Sequence, residues 1–97
     1  MYNIAVLYPN NLNIKHKYST YRIIQYKNYE EGIAAISLFG NLLDVLIIFE
    51  KCSFLKASEI KYLINKQFPK LPILTLNKPS LFNELISTDF FHLLKTN

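Results

Sequence analysis

The chain has 97 residues with a single cysteine and only two glycines, and none of its apolar runs approaches the ~20 residues that a membrane-crossing helix needs. A lone Cys52 closes no intrachain disulfide and offers no thiolate pair to zinc, which points to a reducing compartment and a cytoplasmic location. Gly32 falls inside a helical pattern and Gly40 at its end, so no glycine-rich loop is present to cradle a phosphate. His16 and His92 lie far apart without a cysteine or aspartate at ligand spacing, and no serine sits in a nucleophile elbow. The N-terminal stretch Ile4 to Tyr8 is too short for the core of a signal peptide. The expectation is a chain with no cofactor, no metal and no membrane partner.

Charge is also sparse, with 19 % of residues ionised as Asp, Glu, Lys or Arg and a net charge of +4. The positive charge permits contact with nucleic acid, but the lysines are scattered rather than massed, as on a solvated basic surface. One denser stretch, Lys15, His16, Lys17, Tyr18, Tyr21 and Arg22, interleaves cations with aromatic rings in the manner that serves single-stranded nucleic acid. What the chain does hold is apolar material: 51 % of residues, with seven tyrosines and seven phenylalanines. That content excludes a disordered chain, and the length suits one domain, residues 1–97, around one core.

Short apolar runs alternate with helical patterns. Ile4 to Leu7, Arg22 to Tyr26, Val45 to Phe49 and Ile73 to Leu76 are rich in β-branched residues, and Phe90 to Leu94 adds an aromatic fifth run. Uninterrupted runs of this kind fit strands covered on both faces, as in a parallel sheet. Between the second and third runs, Asn28 is placed to cap a helix with Glu31 at its third position, and Tyr29, Ile33 and Ile36 form its apolar stripe. Gly40 with Asn41 closes that helix, through the left-handed conformation that glycine tolerates. A second helix begins between Ser53 and Ser58, buries Ile60, Leu63, Ile64 and Phe68, and stops at Pro69. A third opens at Pro79 and buries Leu81, Phe82, Leu85 and Ile86. The polar segment Pro9 to Thr20 has only Leu12 and Ile14 as apolar anchors and reads as a short helix or an irregular crossover.

From Tyr21 to Lys95 the order and spacing resemble a receiver domain of the response-regulator family. Tyr21-Arg-Ile-Ile-Gln-Tyr-Lys-Asn-Tyr-Glu-Glu-Gly-Ile-Ala is similar to that family's second strand and following helix. Asp44-Val-Leu-Ile-Ile-Phe49 is similar to its third strand, and Phe68-Pro-Lys-Leu-Pro-Ile-Leu-Thr-Leu to the approach into its fourth. The resemblance implies an α/β, flavodoxin-like parallel sheet of about five strands with helices on its faces. The first helix would be short and the last helix missing.

The departures from the family pattern concern its chemistry. Where receivers carry an acidic pair for magnesium, this chain reads Tyr8-Pro9-Asn10, and the phosphoacceptor position is taken by Phe49. Glu50 is adjacent, but a shift of one residue along a strand turns a side chain to the opposite face. Asn77 falls near the switch hydroxyl position, His92 near the switch aromatic, and Lys95 on the invariant lysine, followed by Thr96. Phosphoryl transfer needs a cation held by oxygen ligands and an in-line acceptor, and neither is encoded at these positions. The expected protein is therefore a noncatalytic, degenerate receiver that works by protein association, as a homodimer or docked to a partner. A sheet face left bare by the absent helix would favour this, at roughly 25 cal/mol for each exposed apolar Å². Phe90 and Phe91 join the basic stretch as candidate contact residues. The alternatives are a nucleic-acid-associated regulator using Lys15 to Arg22 and a small enzyme or carrier using Cys52. Should a small ligand bind, the strands' carboxyl ends are the place, gathering Tyr8, Asn10, Lys27, Asn28, Glu50, Cys52, Asn77 and Lys95.

Overall fold

A computed structural model describes residues 2–12, 21–50 and 57–88 of the chain. Strands β1 (Tyr2–Leu7), β2 (Tyr21–Tyr26), β3 (Val45–Phe49) and β4 (Ile73–Leu76) form one sheet, and helices α1 (Tyr29–Phe39), α2 (Ala57–Gln67) and α3 (Pro79–Ser87) flank it. Every pairing is parallel and the order is β2-β1-β3-β4. Ile4 lies beside both Ile23 and Val45, and Ile47 beside Val6 and Leu74. The four β-branched runs are thus strands; the fifth run, Phe90 to Leu94, lies outside the described residues.

The burial pattern follows from this order. Ile4 to Leu7 and Val45 to Ile48 have no exposed surface because β1 and β3 are central and covered on both faces. β2 and β4 are the edges, and their residues range from buried to exposed. One face carries Ala5, Leu7, Leu46 and Ile48 against Tyr29 and Ile36 of α1 and Ile60 and Ile64 of α2. The other carries Ile4, Val6, Val45, Ile47 and Phe49 against Phe82 and Ile86 of α3, with Tyr8 and Leu12 packed alongside. The expectation of a bare sheet face is therefore corrected for the central strands, since α3 and the start of the β1–β2 connection cover the face opposite α1 and α2.

The position of α3 also departs from what the receiver resemblance implies. Right-handed crossovers carry β2 to β3 and β3 to β4 over the same face, which is why α1 and α2 share it. A fifth strand added beside β4 by another right-handed crossover would require its helix on that face too. α3 instead packs on the opposite one.

Local features explain the element ends. Asn28 Oδ1 accepts the Glu31 N–H at 3.1 Å and caps α1 as its sequence suggests. The helix ends at Gly40, but not through a left-handed residue: Gly40 has φ −57° and opens a 3-10 turn, Gly40–Leu42. Glycine is needed there for room, because a Cβ at this position would lie 2.5 Å from the Phe68 ring. Of the face expected for α2, Ile60 and Ile64 are buried and Phe68 half-buried, whereas Leu63 faces solvent. Residues 60 and 64 already fill the line over the sheet, and position 63 is rotated off it. β1 and β3 are clamped at their start: Asp44 Oδ2 accepts the Asn3 N–H at 2.7 Å, the Asp44 N–H donates to the Asn3 carbonyl at 2.8 Å, and Asn3 Nδ2 reaches the Leu42 carbonyl at 2.9 Å.

Candidate functional site

In an open parallel sheet the default ligand crevice lies beyond the carboxyl ends of the strands, where the direction of winding reverses. Here that point is between β1 and β3, and among the described residues three aromatic side chains pack at it. Tyr29, 7 % exposed, sends its hydroxyl from α1 to the ends of both strands, 3.1 Å from the Leu7 carbonyl and 2.9 Å from the Phe49 carbonyl. A tyrosine hydroxyl has one proton, so the two carbonyls share a single donor. On the other face the Phe49 ring, 2 % exposed, packs against Tyr8 with ring centroids 4.6 Å apart. Above them the segment after β1 is tied down: Gln25 Nε2 donates to the carbonyls of Tyr8 at 3.0 Å and Asn10 at 2.6 Å, and Lys27 Nζ to Asn11 Oδ1 at 2.7 Å.

The residues expected at this end are thus divided among structural tasks. Tyr8 and Phe49 belong to the core on the α3 side, Pro9 is half-buried beside them, and Asn28 is spent on the helix cap. Glu50 and Asn77 are exposed at the rim, and the Glu50 N–H donates to the Leu76 carbonyl at 2.9 Å. Cys52, His92 and Lys95 lie outside the described residues. Among the described residues no group of three His, Cys, Asp or Glu side chains could hold a metal ion. No described helix is long and apolar enough to cross a membrane.

The basic stretch is only partly described, since Lys15, His16, Lys17 and Tyr18 lie outside, as do Phe90 and Phe91. Its two described members separate. Arg22 is exposed on the α1 side of β2, while Tyr21, 9 % exposed, packs into the opposite core with its ring edge-on to Tyr2 at 5.8 Å. A buried ring offers no platform to a base, so the expected use of Tyr21 as a contact residue is corrected. Period two in a strand sends neighbouring side chains to opposite faces, which divides Tyr21 from Arg22.

An open recess occurs elsewhere, between the edge strand β2 and α1. It is a cleft of about 380 Å³ whose walls include Ile24 and Tyr26 of β2, Ile36 and Phe39 of α1, and Leu42 of the 3-10 turn. Arg22 is the charged residue in its lining. Ile24 is 36 % exposed, Phe39 56 % and Leu42 67 %, so the cleft continues outward as an apolar patch. Sequence reasoning did not single out Phe39 and Leu42, although a signal existed: they prolong the apolar character of the helix end beyond the stripe of Tyr29, Ile33 and Ile36 that the core requires. A second recess of about 460 Å³ lies at the opposite end of the sheet from the switch point, between Asn41, Asp44, Gln67 and Lys70. Nearby, burial pushes the Tyr2 phenol above its ordinary value, and the Asp44 carboxylate adds to the shift.

No family model, no curated protein and no solved structure matches the chain.

Proposed function

We propose that the chain is a receiver-like regulatory module that works by protein association and not by phosphotransfer, in a cytoplasmic setting. The observation that carries this reading is the contrast between the strand ends at the switch point and the β2–α1 cleft. Where a flavodoxin-like sheet would hold a ligand, the described side chains at the strand ends are the packed rings of Tyr29, Tyr8 and Phe49, whereas the β2–α1 cleft is open and lined mainly by apolar residues. The strand order β2-β1-β3-β4 supports the receiver-like part of the reading, although α3 on the opposite face departs from it. Contiguous exposed apolar surface such as that of Ile24, Phe39 and Leu42 is characteristic of interaction sites.

Two measurements test the proposal. Acetyl phosphate with Mg²⁺ is expected to leave the chain unlabelled, and stoichiometric labelling would overturn it. Size-exclusion chromatography with light scattering, run on chain purified from its native source, is expected to give either a dimer or a complex with a partner that Phe39→Asp dissolves. A monomer without partner at high concentration would count against association.

A further inference from the structure

We infer that β2 is a docking strand: its outer edge, unpaired among the described strands, takes up an extended segment of another protein, apolar at alternate positions, with a carboxylate set against Arg22. This rests on the association reading above and names the surface and the partner's chemistry. The backbone supplies the first argument. The Tyr8 N–H donates to the Tyr26 carbonyl at 3.1 Å, so residues of Tyr26's parity, Ile24 and Arg22 among them, address β1. The alternate residues Ile23 and Gln25 then turn their N–H and C=O groups away from β1 to the sheet's edge. Only an extended backbone can pair with such a row, because a helix has already spent its own N–H and C=O groups internally.

Among the described residues no strand pairs with this edge. Natural edge strands are blunted by proline, by several charges or by being short. β2 runs six residues, contains no proline and carries Arg22 as its single charge. β4, the other edge, has only four residues.

Side chains set the remaining specificity. A strand added beside β2 projects every second side chain onto the α1 face, where Ile24, Phe39 and Leu42 wait with apolar surface exposed. Charge then selects among occupants. The lining of the cleft includes Arg22 and no carboxylate, and the whole chain carries +4. A second copy would bring another Arg22 and the same excess of positive charge, whereas an acidic segment supplies the missing counter-charge.

The test is selection of a random dodecapeptide display library on the full chain. Enriched sequences are expected to alternate apolar residues and to include Asp, Glu or a free C-terminal carboxylate. A synthetic peptide of that consensus is expected to shift the amide resonances of Ile23, Gln25 and Phe39. Methylating alternate backbone nitrogens of the peptide should abolish binding, and Arg22→Glu, an exposed substitution checked for folding by circular dichroism, should weaken it about ten-fold or more. The inference is overturned by no enrichment, by a consensus with helical spacing or without an acid, by binding that survives backbone methylation, or by a dimer joined through β2. If Phe39→Asp still dissolves a complex when no such peptide is enriched, strand addition alone falls. If Phe39→Asp also has no effect on association, the broader reading falls with it.

Discussion

Replacing Gly32 with alanine sets two effects of opposite sign against each other, and the structure decides between them. In a solvent-facing helix the change Gly→Ala stabilises by about 1 kcal/mol, because alanine has less backbone freedom to lose. Gly32, however, is buried where α1 crosses the sheet, and a Cβ there would come within 2.9 Å of Tyr26 Cβ and would also overlap Leu7 Cδ2. The Leu7 methyl can rotate aside, but Tyr26 Cβ is held by the backbone of β2. Relief therefore requires α1 to lift from the sheet. Overpacking of this kind costs about 1–3 kcal/mol, and the rigid contact puts this case toward the upper end. After subtracting the helical gain, Gly32→Ala is expected to destabilise by about 1–2 kcal/mol, which in a domain of this size lowers the melting temperature by roughly 5–15 °C. Urea and thermal unfolding followed by circular dichroism measure it directly. A variant more stable than the parent would refute the close approach of α1 to β2, and with it the shape of the cleft between them.

Tyr29→Phe keeps the ring and removes the proton shared by the Leu7 and Phe49 carbonyls; urea unfolding is expected to show a loss of about 1–3 kcal/mol, and a change below about 0.5 kcal/mol would mean that the hydroxyl is not holding the two strand ends together. Tyr2 gives a pH dependence. Its folded-state pKa is raised, first by burial and then by Asp44, so its contribution is fully present below the ordinary tyrosine value near 10 and is lost as pH rises from there toward the folded value. The urea midpoint is expected to fall above pH 10 with a steeper slope in the parent than in Tyr2→Phe, and equal slopes would contradict it.

Much of the secondary structure could be read from the sequence because its signals are local. Continuous apolar runs rich in β-branched residues, as at Ile4 to Leu7 and Val45 to Phe49, suit a strand buried on both faces, and these are the two central strands. Asn28 caps α1 because the donor it satisfies is three residues away, and Pro79 opens α3 because its missing N–H costs nothing in a first turn. The candidate site was harder to read. Phe49 at the end of its apolar run is visible in the sequence, but the Tyr29 hydroxyl at the switch point reaches across to residues 20 and 22 positions away. The cleft is equally nonlocal, joining β2, α1 and the turn after it, and its apolar walls look like ordinary core residues until the packing leaves them exposed.

What the sequence by itself determined is the alternation of strands and helices, the N-terminal cap of α1, and the presence of aromatic and polar residues, not acids, at Tyr8-Pro9-Asn10 and Phe49. Those properties depend on residue type and on neighbours within a turn or a strand. Only the tertiary structure decided that Gly40 makes room for Phe68 rather than adopting a left-handed turn, that α3 packs opposite α1 and α2, and that Tyr21 is buried while Arg22 is exposed. Each of these depends on which distant surface a residue meets, and that is set by the order in which the strands assemble, not by the residues on either side.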